Sequence, residues 1–110
     1  MEIVTENIGS ASIVRVSGEV DMSNSPTVRD SLMLLIEAKA PTIVVDLGGV
    51  TYMDSSGIAT LIEGHQATTS YGGNFRIAAL IPNVRQVFEL ARLTDVFDIY
   101  PDVDRAQEGL

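Results

Sequence analysis

The segment 54–57, with the sequence Asp-Ser-Ser-Gly, combines residue types that favour chemistry with a position that exposes them. It follows an apolar run at 42–47 and precedes a helical pattern from about 56 to 70, so it lies where a loop becomes a helix N-terminus. The first N–H groups of a helix have no intrahelical acceptor and lie at the positive end of the helix dipole. Such a position accommodates an acceptor side chain or a phosphoryl group.

Catalysis by these serines would need a base within hydrogen-bonding reach, usually a histidine that a third group orients. The single histidine, His65, follows Ser55 by about ten residues, which is about 15 Å along a helix. The sequence also has no Walker-type phosphate loop and no Gly-x-Gly-x-x-Gly run. We therefore expect no catalytic residue and no enzymatic activity. We interpret His65, which lies on the apolar stripe of its helix, as a half-buried structural residue.

A serine that accepts phosphate must instead be exposed and able to enter the active site of another protein, and a loop-to-helix junction meets that requirement. Gly57 removes side-chain bulk beside the hydroxyl, which would help a partner to approach closely. The alternative is that Asp54 or Ser55 only caps the helix and that Gly57 is a packing residue. Helical periodicity does not choose between the serines, because Ser56 points to the middle of the polar face.

The elements around this junction follow a β-β-α-β-α-β-α-β-α order. The β-branched run at 42–47 predicts a central strand covered on both sides, and Gly48-Gly49 predicts a turn after it. Two earlier runs flank a turn at Gly9-Ser10 and predict an antiparallel pair. The alternation of helix and strand predicts an α/β fold with right-handed crossovers. We predict strands at 3–8, 11–16, 42–47, 75–80 and 96–100, and helices starting at about 25, 56, 82 and 102.

Two segments carry a resemblance to a known family. Asp-Ser-Ser-Gly after an apolar strand resembles the signature of the anti-sigma factor antagonist family, the bacterial STAS domain. Gly18-Glu19-Val20-Asp21 is similar in letters and in place to a Gly-Glu-aliphatic-Asp segment of that family. The resemblance covers essentially the whole chain. It implies one STAS domain at 1–110, an α/β fold in which about four α-helices pack on a mixed, mostly parallel β-sheet.

The family also implies roles for individual residues. In it, the residue directly after the motif aspartate is phosphorylated by a partner kinase, so the resemblance selects Ser55. The aspartate that matches Asp21 helps to form the kinase-facing surface. From the sequence alone, Asp21 is instead a loop aspartate that caps a local turn. The resemblance implies a partner-binding surface formed by Asp21, Asp54, Ser55, Ser56 and Gly57. Many members have a second glycine where this chain has Ala59.

Unmodified members of this family bind an anti-sigma factor, a histidine-kinase-like ATPase that phosphorylates serine, and thereby release the sigma factor. Phosphorylation ends the interaction, and a metal-dependent serine phosphatase restores it. The resemblance therefore implies an anti-sigma factor antagonist, with ATP and Mg²⁺ belonging to the kinase and no cofactor bound here. Two alternatives remain open. A lone STAS domain also serves as a stressosome scaffold subunit, or as the STAS subunit of a lipid-transport ATPase.

Composition sets outer bounds on these functions. At 110 residues the chain has the size of one domain, and its net charge of −8 argues against binding to nucleic acid or to an anionic membrane. It has no cysteine and one histidine, so we expect no disulfide and no metal site. The N-terminus lacks the pattern of a signal peptide, and no apolar run approaches the roughly 20 residues that span a bilayer. We expect a cytoplasmic monomer.

Overall fold

The computed structural model describes all residues, 1–110, as a five-stranded sheet with four helices. The strands lie in the order β1-β2-β3-β4-β5; β1 is antiparallel to β2, and the other three pairs are parallel. This confirms the predicted element order and the mixed, mostly parallel sheet. The elements are β1 Glu2–Ile8, β2 Ala11–Val20, α1 Ser25–Glu37, β3 Thr42–Met53, α2 Ser55–Ser70, β4 Asn74–Ala78, α3 Pro82–Leu90, β5 Asp98–Tyr100 and α4 Val103–Ala106.

Both faces of the central strand β3 are covered, as its β-branched composition predicts. Successive side chains of a strand point to opposite faces of the sheet. Ile43 and Val45 therefore enter the larger apolar cluster, which residues of α1, α2 and α3 complete, and Val44 enters a smaller cluster beneath α4. All three residues are fully buried. None of the four helices is both long and apolar enough to cross a membrane.

The predicted turn at Gly48-Gly49 is wrong, because β3 continues through both glycines to Met53. Likewise β2 does not end near Val16 but extends through Gly18 to Val20. The two strands stay paired across register shifts on either side of this region. A Cβ on Gly49 would lie 2.8 Å from the Ser17 Cβ, and Gly18 has a φ of +91°. These glycines therefore permit an irregular, close strand pairing and not a reversal of the chain.

The buried side of α2 also differs from the predicted stripe. Thr60 lies one turn after Ser56 on the face that helical periodicity makes polar, yet it is 8% exposed, whereas Thr69, one turn after His65 on the apolar stripe, is exposed. The cause is that α2 packs closely against the core on the face that contains Gly64. A Cβ on Gly64 would lie 3.0 Å from Phe75 and 3.2 Å from Leu32. The Thr60 hydroxyl satisfies its hydrogen bond within the helix by donating to the Ser56 carbonyl at 2.9 Å.

His65 is half-buried, as the sequence predicts. Its ring packs edge-on against two phenylalanines, with centroid distances of 6.1 Å to Phe75 and 5.4 Å to Phe97. Aromatic side chains prefer such edge-to-face arrangements. The structure therefore places His65 against the aromatic part of the core, ten residues along α2 from Ser55.

Candidate functional site

The segment 54–57 lies beside a second loop at one edge of the sheet. Val20 and Met53 are register partners at the ends of the parallel strands β2 and β3. One residue further on, the Asp54 N–H donates to the Val20 carbonyl at 3.2 Å. The loop 21–24 and the start of α2 are therefore direct continuations of paired strands. Ligands of open α/β sheets bind at this carboxyl edge of the strands.

Asp54 caps the N-terminus of α2. Its backbone is extended, with φ −96° and ψ −174°, and its Oδ1 accepts hydrogen bonds from the Ser56 N–H at 2.9 Å and the Gly57 N–H at 3.4 Å. The Ser56 hydroxyl also donates to this oxygen, at 2.5 Å. That hydroxyl is the main cause that lowers the pKa of Asp54 below its ordinary value of 3.8, and the backbone amides of Ser56, Gly57 and Met22 add to it. Asp54 is therefore a helix-capping carboxylate.

The two serines of the motif have different surroundings. Ser55 is the first residue of α2 and is exposed, and its hydroxyl makes no hydrogen bond within the chain. Ser56 is half-buried, and its hydroxyl is engaged by Asp54. A protein that approaches this edge therefore meets the Ser55 hydroxyl unengaged, whereas it would have to displace Asp54 to reach that of Ser56. This difference depends on side-chain geometry, which helical periodicity does not carry.

Gly57 faces the interior of the protein. It is buried, and a Cβ at this position would lie 2.6 Å from the Met53 Cγ and 3.0 Å from the Val20 Cγ1. The structure therefore gives Gly57 the packing role that the sequence left open as the alternative to a partner-facing one. The glycine lets the first turn of α2 rest directly on the ends of β2 and β3, which fixes the position of Ser55 relative to the loop 21–24.

Asp21 begins that loop, and its carboxylate is engaged within it. Its Oδ1 accepts from the Ser23 N–H at 2.9 Å and from the Ser23 hydroxyl at 2.5 Å. Asn24 closes the loop, because its Oδ1 accepts from the Asp21 N–H at 3.0 Å and its amide donates to the Glu19 carbonyl at 2.9 Å. The turn-capping geometry that the sequence allows for Asp21 is thus the one present.

Met22 is a residue of this edge to which sequence reasoning gave no role. It lies between Asp21 and Ser23 and is 78% exposed. The available signal was a methionine within a loop that otherwise consists of Asp, Ser and Asn residues.

An open groove of about 490 Å³ runs along α2 beyond Ser55, lined by Ala59, Thr60, Ile62, Glu63 and Gln66. No group of three or more His, Asp and Glu residues is arranged to hold a metal ion.

An ion pair joins α2 to α1 beside this groove. The Arg29 Nε lies 2.6 Å from the Glu63 Oε1, and a second nitrogen of the same guanidinium donates to Oε2 at 3.2 Å. The hydrogen bond from Arg29 lowers the pKa of Glu63 below its ordinary value of 4.5. Both side chains are about half exposed, so the pair contributes little to the stability of the fold.

Comparisons with known proteins agree with this architecture. The STAS domain family model matches residues 2–106. An anti-sigma-B factor antagonist of Bacillus subtilis (strain 168) is 29% identical over 86 residues, which cover 78% of each chain. An anti-sigma F factor antagonist of Paenibacillus polymyxa is 28% identical over 101 residues, 91% of this chain and 86% of the relative.

Solved structures give the same result. An anti-sigma factor antagonist from Mycobacterium paratuberculosis superimposes with a TM-score of 0.88 at 28% identity, over 96% of this chain and 89% of that one. The anti-sigma factor antagonist SpoIIAA in its unphosphorylated form has the same fold, with a TM-score of 0.75 at 20% identity over 97% and 99% of the two chains. With the family model matching almost its full length, this chain belongs to the STAS domain family.

Proposed function

We propose that this chain is an anti-sigma factor antagonist that a serine kinase switches by phosphorylating Ser55. In the unphosphorylated form it binds an anti-sigma factor of the histidine-kinase-like ATPase type and thereby releases the sigma factor. The relatives described above carry the name anti-sigma factor antagonist and align over most of both chains, which supports the role. The chain is then a substrate and a binding partner, and the kinase supplies ATP and Mg²⁺.

The contrast between the two serines carries the choice of Ser55. Its hydroxyl is exposed and unengaged, whereas the Ser56 hydroxyl donates to the Asp54 carboxylate. In phosphoryl transfer the acceptor oxygen must lie in line with the leaving group, so an accessible hydroxyl is the first requirement. Ser56 meets that requirement only after it breaks a charge-assisted hydrogen bond, which is one of the stronger kinds.

Phosphorylation of Ser55 would act through the interface and leave the fold unchanged. A phosphoserine adds about −1.5 to −2 charge. The N-terminus of α2 attracts that charge, while the neighbouring Asp54 carboxylate repels it, so the two effects within the chain oppose each other. At an interface, the same group is buried against partner groups that were matched to a neutral hydroxyl. A loss of about 4 kcal/mol suffices to weaken a complex a thousandfold.

The proposed cycle also needs a serine phosphatase, which hydrolyses the phosphoester and restores the binding form. In this proposal all of its components lie in the cytoplasm. The partner-facing residues are the exposed and half-exposed members of the predicted set, namely Asp21, Asp54, Ser55 and Ser56.

Intact-mass spectrometry tests the proposal. The wild-type chain, Ser55→Ala and Ser56→Ala are incubated with an extract of the host cells and Mg-ATP. We expect the wild type and Ser56→Ala to gain the mass of one phosphoryl group and Ser55→Ala to gain none. A gain that survives in Ser55→Ala would overturn the choice of serine. No gain in any variant would overturn the switch and favour a scaffold or transporter-subunit role, which a stable complex with other STAS chains or with a transport ATPase would then reveal.

A further inference from the structure

We propose that Met22 is the apolar anchor by which this chain docks on its kinase, and that Asp21 is a positioning residue which holds the turn that presents it. This inference rests on the proposed function, because the occupant of the surface is the anti-sigma factor kinase that phosphorylates Ser55. It assigns the contact to a residue outside the signature segments and gives Asp21 an indirect role.

Met22 lies at the surface, close to the serine that the kinase must reach. It is among the most exposed large apolar side chains of the protein, at 78%, and its loop continues β2 beside the start of α2. The Asp54 N–H donates to the carbonyl of Val20, two residues before Met22, at 3.2 Å, so this loop lies beside the residue that precedes Ser55. A kinase whose active site reaches the Ser55 hydroxyl therefore covers Met22 as well. Methionine is well suited to such a contact, because its unbranched side chain adapts to irregular apolar pockets.

Hydrogen bonds on both sides of Met22 hold the turn in which it lies. The Asp21 carboxylate oxygen Oδ1 already accepts two hydrogen bonds from Ser23, the residue on the far side of Met22. Asn24 adds bonds to the Asp21 N–H and the Glu19 carbonyl, and the Asn24 and Ser25 N–H groups donate to the Asp21 carbonyl. Met22 therefore lies at the tip of a turn held from both sides. A loop backbone that is already held in this way loses less conformational entropy when a partner binds the side chain that it presents.

The charges around Met22 define the chemistry of its partner. Glu19 is exposed, Asp54 is half-exposed, and the whole chain carries a net charge of −8. An apolar tip on an acidic protein fits a kinase surface that has an apolar pocket with lysine or arginine side chains at its rim. The acidic charge speeds the encounter and selects the partner, and the buried tip supplies affinity.

Steady-state phosphorylation kinetics test the anchor, with the kinase purified from the host extract by its transfer of phosphate to Ser55. We expect Met22→Ala to raise the KM about 10–100-fold and to leave kcat unchanged, which is the effect of losing one buried methionine side chain. Met22→Leu should retain most of the affinity. The matched control is Leu90→Ala, because Leu90 is 79% exposed but lies at the far end of α3. An equal KM for Met22→Ala and the wild type would overturn the anchor.

Two substitutions of Asp21 test its positioning role. Asn keeps an oxygen that can accept from Ser23 but removes the charge, whereas Ala removes both. We expect Asp21→Asn to stay within about threefold of the wild-type KM at moderate salt, since a partly exposed charge contributes little, and Asp21→Ala to approach Met22→Ala. Equal losses in both variants would show a direct ion pair with the kinase and overturn the indirect role. If the wild type itself gains no phosphate, the proposed function fails, and this inference fails with it. A phosphorylated wild type with an unaffected Met22→Ala overturns the inference alone.

Discussion

The Ser56 hydroxyl donates a 2.5 Å hydrogen bond to the Asp54 Oδ1, and this contact separates the two adjacent serines of the motif. It ties Ser56 to the cap of α2 and lowers the pKa of Asp54. Ser55 is left with an exposed hydroxyl that makes no bond within the chain. One side-chain contact thus gives the motif a structural serine and a serine that a partner can reach.

Replacement of Ser56 by alanine should raise the pKa of Asp54 toward its ordinary value of 3.8, because the Ser56 hydroxyl is the main group that lowers it. Carboxyl chemical shifts followed by NMR through an acid titration measure this pKa. Ser55→Ala is the matched control and should leave the pKa unchanged. Equal pKa values in Ser56→Ala and the wild type would show that the contact does not stabilise the carboxylate.

The Asp54 cap should make stability depend on pH in the acid range. Because the pKa of Asp54 is lower in the folded chain than its ordinary value of 3.8, the cap stabilises the fold fully above that value. That stabilisation is lost as the pH falls through the folded-state pKa. Urea unfolding compares the wild type with Asp54→Asn. The difference between their midpoint urea concentrations should be constant at neutral pH and should shrink below pH 3.8. A difference that stays constant into strong acid would contradict the capping role of the charge.

Gly57→Ala should destabilise the protein, although alanine is the better helix former by about 1 kcal/mol. The new Cβ would lie 2.6 Å from the Met53 Cγ in a buried contact, and such overpacking costs about 1–3 kcal/mol. Chemical unfolding measures the balance, for which we expect a net loss of about 1 kcal/mol. The control is Ala59→Gly at an exposed position of the same helix, where only helix propensity changes. A more stable Gly57→Ala would show that Met53 moves away at little cost.

Arg76 should hold α4 on the sheet. Its Nη1 donates to the carbonyls of Ala106 at 2.8 Å and Glu108 at 3.2 Å, and its guanidinium lies 5.4 Å from the centre of the Tyr100 ring. Arg76→Met keeps much of the apolar volume and removes the donors, so α4 should open more often, at a cost of about 1–3 kcal/mol. Amide hydrogen exchange of α4 measures this opening, with α1 as an internal control. Unchanged exchange in α4 would assign its docking to the apolar contacts of Ala106 and Val103.

Local patterns determined much of the fold. The alternation of β-branched runs with helical stripes predicted the order of all nine elements, and Ser25-Pro26 and Pro82 marked the starts of α1 and α3. The main errors, in the turn predicted at Gly48-Gly49 and in the buried face of α2, both involve glycine. A glycine in a sequence can indicate a turn, an irregularity in a strand or a close helix contact, and the sequence alone does not distinguish these. Gly49 and Gly64 serve the second and third purposes, and only the neighbours that they approach, Ser17 and Phe75, distinguish them.

The site was predictable in place but not in detail. The position of Asp54 before a helical pattern located the cap, and the family resemblance pointed to Ser55. The exposure of Met22 and the inward orientation of Gly57 depend on how β2 and β3 end side by side, a long-range pairing that local periodicity does not contain. The engagement of Asp21 by Ser23 was one of the alternatives that its loop position allowed.

The affinity of the kinase for the two forms of this chain tests whether phosphorylation of Ser55 switches binding off. Unphosphorylated and Ser55-phosphorylated protein are titrated onto the same kinase by isothermal calorimetry, with ADP in place of ATP so that no transfer occurs. We expect the phosphorylated form to bind at least about a thousandfold more weakly, with an unchanged thermal unfolding midpoint. Equal affinities would contradict the switch, and a phosphorylated form that binds weakly because it has unfolded would contradict its mechanism.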